Sequence, residues 1–323
     1  MMGTGAFAEP TFRALLAGTH PVVGLVTNPD RPSGRERDMV RGMKKIAQDH
    51  AVPVFQPESV NTLAGVAGLE AFQPELLVVA AYGQILSRDV LAVSRYGGIN
   101  VHASLLPRYR GAAPIAWAIY HGETRTGVTI IKMSVHLDAG DMQAQAAVDI
   151  GPEETAGELE ARLAPLGAKL ALQVIDQVAA GTARGSPQDK SQATRAPKLT
   201  KEHGLIDWSR TAEQVRNQVR AMHPWPTAYT FLHRGQHPPL RLIVHKATPE
   251  AGPHRRNQQP GGIVLPEATG RHSGPDRLTV TAGDDTAVEI LSLQPAGKRP
   301  MSAAEFLRGH PLQPGDRFGP EVS

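Results

Sequence analysis

The sequence predicts an α/β protein: an open, mostly parallel, Rossmann-like sheet, followed by a small β-barrel. Three observations carry that expectation. The first half alternates short apolar runs with segments of helical periodicity, which is the pattern of βαβ units. Its run ELLVVAAYG (75–83) is too apolar to face water on either side, as a parallel strand covered on both faces must be. Beyond residue 203 several short strands are separated by Gly- and Pro-rich turns, the spacing of a small barrel.

In chain order, HPVVGLVTN (20–28) reads as a strand and VRGMKKIAQDH (40–50) as an amphipathic helix. The strand at 75–83 is followed by GGINVH (97–102) as another, APIAWAIYHG (113–122) as a helix and GVTIIKMS (127–134) as a strand. Residues 154–181 form a long helix with apolar positions at spacings of three and four, ended by Gly181. The stretch after Gly181 has almost no apolar residue and no period, so it reads as a linker too long for a connection inside one domain. The expected boundaries are a first domain at 1–183, a linker at 184–203 and a second domain at 204–318. That second domain opens with a helix, SRTAEQVRNQVRAM (209–222), for which Ser209 is the expected N-cap. LRLIVHKA (240–247), GGIVLP (261–266), RLTVTAG (277–283) and AVEILSLQPAG (287–297) supply the strands.

A chain of 323 residues is long enough for two cores, and 41% hydrophobic with 20% charged residues excludes disordered and fibrous classes. With no cysteine there is no disulfide and no cysteine-ligated zinc. No apolar run reaches membrane-spanning length, and MMGTGAFAEP lacks a basic region followed by a long apolar core. The expectation is a cytoplasmic protein with no membrane partner. Charge is unevenly placed: residues 1–189 carry 16 Lys and Arg against 19 Asp and Glu, residues 190–323 carry 18 against 12. The basic second half suggests a polyanionic partner.

The chemistry concentrates in INVHASLLPRYRG (99–111). Side chains alternate along a strand, so Asn100 and His102 share a face about 7 Å apart, at the carboxyl end where Pro107 and Gly111 stop the strand. Open parallel sheets bind ligands outside those ends. The plain alternative is a turn-capping Asn100 and a satisfied, half-buried His102. In SVHLDAGDM (134–142), Asp138 also follows a strand, in a Gly-containing turn. It either makes an Asx turn, with Asp141 capping the next element, or serves as the carboxylate that orients an imidazole and raises its proton affinity. Asn adds a neutral donor for a developing oxyanion. With no Ser or Cys nucleophile in either motif, the set suggests direct acyl transfer between two bound substrates, with no metal.

GGINVHASLLPRYRGAAPI together with TGVTIIKMSVHLDAGDM resembles the core of the 10-formyltetrahydrofolate-dependent formyltransferases. TNPDRPSGR, APKLTKEHGLIDWS, HPWPTAYTFL and LSLQPAGKRPMSAAEFLRG resemble, more narrowly, their methionyl-tRNA branch, and the matching segments run from about residue 3 to residue 318. The resemblance implies that Asn100, His102 and Asp138 are catalytic. The α-amino group of methionine on initiator tRNA would attack the formyl carbon of 10-formyltetrahydrofolate. Asn100 and protonated His102 would stabilise the oxyanion, and Asp138 would orient the histidine. It also implies folate contacts from Ser104, Leu105, Leu106 and Pro107, and a pterin pocket walled by Tyr82, Gln84, Ile85 and Leu86.

On the tRNA side, DRPSGRERDMVRGMKK (30–45) carries Arg31, Arg35, Arg37, Arg41 and Lys44. By itself this reads as a solvated helix start; the resemblance implies a loop that enters the end of the acceptor stem, with Arg35 in the reading position. Lys198 and Lys201 would add salt-dependent backbone contacts, and the second domain would be an OB-like barrel on a monomer. The chain departs from the family in three places. The family opens with an apolar strand before the MGT turn, so the first strand is expected to be missing here; Ser134 and His136 stand where an acidic residue and a glycine are expected; the loop after Arg35 lacks the expected prolines. Sequence leaves two rival readings open: a folate-dependent formyltransferase for another amine, such as a glycinamide ribonucleotide or an amino sugar, and a tRNA-binding remnant without activity.

Overall fold

In this computed structural model, residues 1–30, 35–235, 237–250, 259–264, 277–283 and 285–322 are described, those at 35–39 by backbone alone. The chain divides into two units. The first takes in Met1–Ile115, Arg125–Ile150 and Glu158–Lys198, the second Ala116–Thr124, Gly151–Gly157 and Leu199–Ser323.

The first unit is built on one sheet of strands β1 (Met2–Gly3), β2 (Leu25–Val26), β3 (Val54–Phe55), β4 (Leu77–Ala80), β5 (Gly98–His102), β6 (Arg125–Lys132) and β7 (Met142–Asp149), in the order β3-β2-β1-β4-β5-β6-β7. Pairings from β3 through β5 are parallel, and β5–β6 and β6–β7 are antiparallel. All four residues of β4 are buried, as its unbroken apolar run requires, whereas the edge strand β7 alternates half-buried with exposed positions. Helices α1 (Glu9–Ala17), α2 (Arg35–Asp49), α3 (Leu63–Glu70), α4 (Arg88–Ala92) and α6 (Ala156–Ala179) connect and cover the strands, and α5 (Pro114–Tyr120), which follows β5 in the chain, counts mostly with the second unit. Thr62 and Ser87 cap α3 and α4 through their hydroxyls. α6 lies so close to β5 that a Cβ at Gly167 would stand 2.7 Å from Val101 Cγ1. That contact fixes the strand on which Asn100 and His102 sit.

Two expectations are corrected. The first strand is not missing: Met2 pairs with both Val26 and Val79, so β1 is an interior strand between β2 and β4, though it is only two residues long. The strand expected over 20–28 shrinks to Leu25–Val26, because residues 21–24 have no neighbouring strand to pair with. A cavity of about 220 Å³, lined by Met1, Val23, Gly24, Phe72 and Leu77 among others, lies beside them. Within the mostly parallel sheet β6 runs against β5, with Ile99 opposite Lys132 and His102 opposite Thr129. The loop carrying Asp138 therefore starts near the amino end of β5 and must fold back to reach His102.

The second unit contains α7 (Ala212–Ala221) and strands β8 (Ala228–His233), β9 (Leu240–Glu250), β10 (Ile263–Val264), β11 (Leu278–Thr281), β12 (Ala287–Pro295), β13 (Met301–Ser302) and β14 (Arg317–Gly319), with α8 (Ala303–Gly309) between the last two. The sheet order is β10-β11-β12-β9-β8-β14, with β13 paired to β12 and every pairing antiparallel. A bridge between Gly262 and Arg317 joins the two ends of that order and closes the sheet. Leu232, Leu242, Val244, Val280 and Leu293 fill its interior.

The N-cap of α7 is Thr211, not Ser209: Thr211 Oγ1 accepts from Gln214 N, and the Gln214 side chain accepts from Thr211 N. Ser209 turns its hydroxyl to Asp207 instead, because Asp207 offers a carboxylate two residues upstream. Thr211→Ala is expected to cost about 1 kcal/mol of stability and Ser209→Ala less. Urea midpoints compared at constant slope check this, and a larger loss for Ser209→Ala would contradict the assignment.

Candidate active site

Alternation along β5 turns Asn100 and His102 to one face, and the strand ends at His102. The 133–141 loop folds over that face and delivers Asp138. Its Oδ1 accepts from Asn100 Nδ2 at 3.3 Å, its Oδ2 accepts from the Gly111 backbone N–H at 2.8 Å, and His102 Nδ1 stands 3.6 Å from Oδ2. The His102 side chain is 5% exposed and that of Asp138 10%. His102 Nε2 lies 2.9 Å from the Tyr109 carbonyl. A carbonyl only accepts, so Nε2 carries a proton and Nδ1 is the nitrogen turned to the carboxylate.

The backbone around the site is unusual. Asp138 (φ 47°) and Tyr109 (φ 62°) both adopt left-handed conformations that non-glycine residues seldom take, and such residues cluster at functional sites. Gly111 combines φ 128° with a close approach: a Cβ there would lie 2.4 Å from Ala196 O. The loop after β5 is pinned from several sides. Ser104 Oγ donates to Arg108 O, Thr129 Oγ1 donates to Ser104 O and accepts from Leu106 N, and Gln145 Nε2 donates to Leu106 O. Thr194 Oγ1 accepts from Tyr109 N, and Arg110 pairs with Gln188.

The structure thus brings Asn100, His102 and Asp138 together, and adds Tyr109, Gly111 and Gln188, which sequence reasoning missed. Gly111 lies in the loop directly after β5, and a glycine there is a usable signal. A backbone carbonyl at Tyr109 leaves no trace in residue identity, and Gln188 stands in an unpatterned segment.

Residues 81–86 leave the carboxyl end of β4, next to β5, with Val79 opposite Asn100. Ala81 (φ 45°) turns the chain there. Tyr82 and Leu86 are buried among Met2, Val26 and Val60, while Ile85 is 64% exposed. The Tyr82 hydroxyl is buried without a hydrogen-bond partner, and burial pushes the phenol up to about 12. Gln84 accepts from Val60 N and donates to Glu58 O, bracing the neighbouring loop. Ser104 and Leu106 are buried, Leu105 and Pro107 half-buried. Segments 81–86 and 104–107 thus follow the adjacent parallel strands β4 and β5.

Of the basic residues, Arg31 lies outside the described residues, as do the side chains of Arg35 and Arg37. Arg41 is exposed. Lys44 pairs with Asp30 at 2.6 Å, and that hydrogen bond, with one from Gln56, holds the Asp30 carboxyl below its ordinary range. Lys198 and Lys201 are exposed. Among the described residues, no group of three acidic or histidine side chains is disposed to hold a metal, and no helix is long and apolar enough to cross a membrane.

Residues 1–175 match the family model described as formyl transferase, and residues 198–311 the model for the formyl transferase C-terminal domain. The chain is 41% identical over 319 residues to the methionyl-tRNA formyltransferase of Bacillus subtilis, covering 98% of this chain and 96% of that protein. It is 45% identical over 320 residues to the methionyl-tRNA formyltransferase of Symbiobacterium thermophilum, covering 99% and 94%. Among solved structures it shares its fold with WlaRD, a sugar 3N-formyl transferase crystallised with dTDP and 5-N-formyl-THF. The TM-score is 0.63 at 16% identity, over 92% of this chain and 97% of that one.

Gly111→Ala is expected to lower turnover at this centre about a hundredfold, the cost of a displacement near 1 Å. Gly97→Ala, at a positive φ of 68° but in open space, is the control for backbone strain alone. Equal turnover in the two variants would mean that the close approach to Ala196 does not hold the site.

Proposed function

The chain belongs to the formyl transferase family, among the methionyl-tRNA formyltransferases, and from that premise we propose that Asn100, His102 and Asp138 carry formyl transfer to the α-amino group of methionyl initiator tRNA. The observation that supports this assignment is the single carboxylate of Asp138 shared by Asn100, His102 and the Gly111 N–H. Formyl-folate is the donor in this family, and 10-formyltetrahydrofolate is the form that suits transfer to an amine. Identity of 41–45% over nearly the whole length favours this acceptor over the amino sugars of the structural neighbours, which share 16%. Initiation of translation as the purpose places the reaction in the cytoplasm.

The donor supplies a formyl carbon bound to nitrogen. A carbon–nitrogen bond forms to the methionyl amine, the bond to the folate nitrogen breaks, and the amine proton passes to that nitrogen. Because Nε2 of His102 is committed to the Tyr109 carbonyl, this proton is exchanged at Nδ1, where the Asp138 carboxylate stabilises the imidazolium. One N–H of the Asn100 amide is directed at Asp138, and the other is a donor for the oxyanion of the tetrahedral intermediate. The left-handed Asp138 and Tyr109 hold this set before substrate arrives, so little reorganisation is needed at the moment of reaction. Tyr82, Ile85, Leu86 and the 104–107 loop would receive the folate beyond the carboxyl ends of the adjacent strands β4 and β5. Ile85, 64% exposed, offers the folate's flat ring apolar surface there.

His102→Ala is expected to reduce formyl transfer to charged initiator tRNA by about 10² to 10⁴. The circular dichroism spectrum should stay that of the parent chain. Activity within threefold of the parent would overturn the assignment. For the acceptor, Arg41, Lys198 and Lys201 are read as phosphate contacts. Each replaced by Ala should flatten the dependence of log affinity on log salt by about one unit, measured by filter binding of the tRNA. Unchanged slopes would remove these residues from the interface.

A further inference from the structure

Gln188 is buried, 9% exposed, in the segment that the sequence reads as a linker, and every hydrogen-bonding position of its amide is used. Nε2 donates to two carbonyls of one turn, Asp138 O at 2.8 Å and Gly140 O at 2.7 Å. Oε1 accepts two bonds from the Arg110 guanidinium, from Nε at 3.1 Å and Nη2 at 2.7 Å. Arg110 stands between the two residues that serve the site through their backbone: Tyr109, whose carbonyl takes the His102 Nε2 proton, and Gly111, whose N–H holds Asp138 Oδ2. Arg110 is itself fixed, its N–H donating to Thr194 O and its carbonyl accepting from Ala196 N. One amide therefore joins the loop that carries the carboxylate to the loop that fixes the imidazole.

We propose that Gln188, with Arg110 as its partner, is a positioning residue for formyl transfer: it sets the distance between the Asp138 carboxylate and His102. The proposal rests on the catalytic reading given above. The chemistry of the clamp is specific to an amide. A carboxylate at position 188 keeps the Arg110 contact but sets an oxygen against the carbonyls of Asp138 and Gly140; an apolar side chain loses all four bonds. Without the clamp, a left-handed Asp138 has fewer bonds to hold it there, and the 3.6 Å gap to His102 Nδ1 is free to widen. The clamp touches neither the 81–86 and 104–107 segments read as folate-binding nor the exposed basic residues. Its loss should therefore fall on kcat and leave both KM values near the parent.

The test is a double-mutant cycle of Gln188→Leu against Asp138→Asn, read by single-turnover formyl transfer in the full chain, with Gln188→Glu run in parallel. In the parent background each Gln188 variant should lose about a hundredfold in kcat, with KM for formyl donor and tRNA changed less than threefold. In the Asp138→Asn background the same change should cost less than threefold, because the carboxylate it positions is already gone. A merely structural role would cost the same factor in both backgrounds, and that result, or a parent-like kcat in either Gln188 variant, overturns the proposal. If Gln188→Leu does not fold, Gln188→Glu, which retains the Arg110 pairing, decides the cycle. Full activity of Asp138→Asn would sink the catalytic reading itself; crippled Asp138→Asn beside active Gln188 variants would sink only the clamp.

Discussion

A carboxylate that is nine-tenths withdrawn from water must be met by donors on the protein, and at Asp138 that requirement organises the first unit. Its oxygens draw in the Asn100 amide, the Gly111 N–H and the His102 ring. Each of these demands something further of the chain. Gly111 can donate only where its backbone passes within a Cβ of Ala196, so no side chain is tolerated there. The segment ending near Lys198 therefore has to run beside the loop after β5. His102 can present Nδ1 only if Nε2 is satisfied elsewhere, which the left-handed Tyr109 does with its carbonyl.

The change from parallel to antiparallel pairing after β5 is what makes this meeting possible. Parallel strands all end on one side, which suits a crevice for a ligand but offers no loop from the opposite end. The β6–β7 hairpin reverses direction and sends its loop back across the face of β5. A turn that must both reverse the chain and aim a carboxylate inward is difficult to build from right-handed residues. The left-handed φ at Asp138 and the close pass of Gly140 against Lys132 O are the local result.

Legibility in the sequence depends on how local each feature is. The apolar run expected as a strand over 75–83, which forms one at 77–80, and the alternation of Asn100 with His102 are properties of single strands, and both are found where the residues put them. Strand direction is a property of a pair, so composition puts β6 in the sheet without its reversal. Residues 20–24 have strand-like composition but no partner, and composition cannot report a neighbour's length. Thr211 and Ser209 are equally good caps by type; Asp207 decides between them by engaging Ser209. Gln188 is the extreme case. A polar, aperiodic stretch looks like a linker because its bonds go to distant carbonyls and a guanidinium, and those partners leave no period in the chain.

The two substrates ask opposite things of the surface. Formyl transfer needs donors and a carboxylate held still and shielded, where interactions are strong because water is excluded. A tRNA needs exposed charge that acts over a Debye length and yields to salt. The chain separates these demands by residue type. Asn, His, Asp and Gln form the buried network, and Arg110, a cation that joins it, spends two of its donors on the Gln188 oxygen. Lys198 and Lys201, by contrast, are exposed, and Lys198 lies two residues beyond Ala196 in the segment that clamps the site. That segment is bonded to Arg110 through Thr194 and Ala196. An exposed cation and the hydrogen bonds that hold the Asp138 carboxylate thus lie a few residues apart on one stretch of chain, the first left to solvent and the second withdrawn from it.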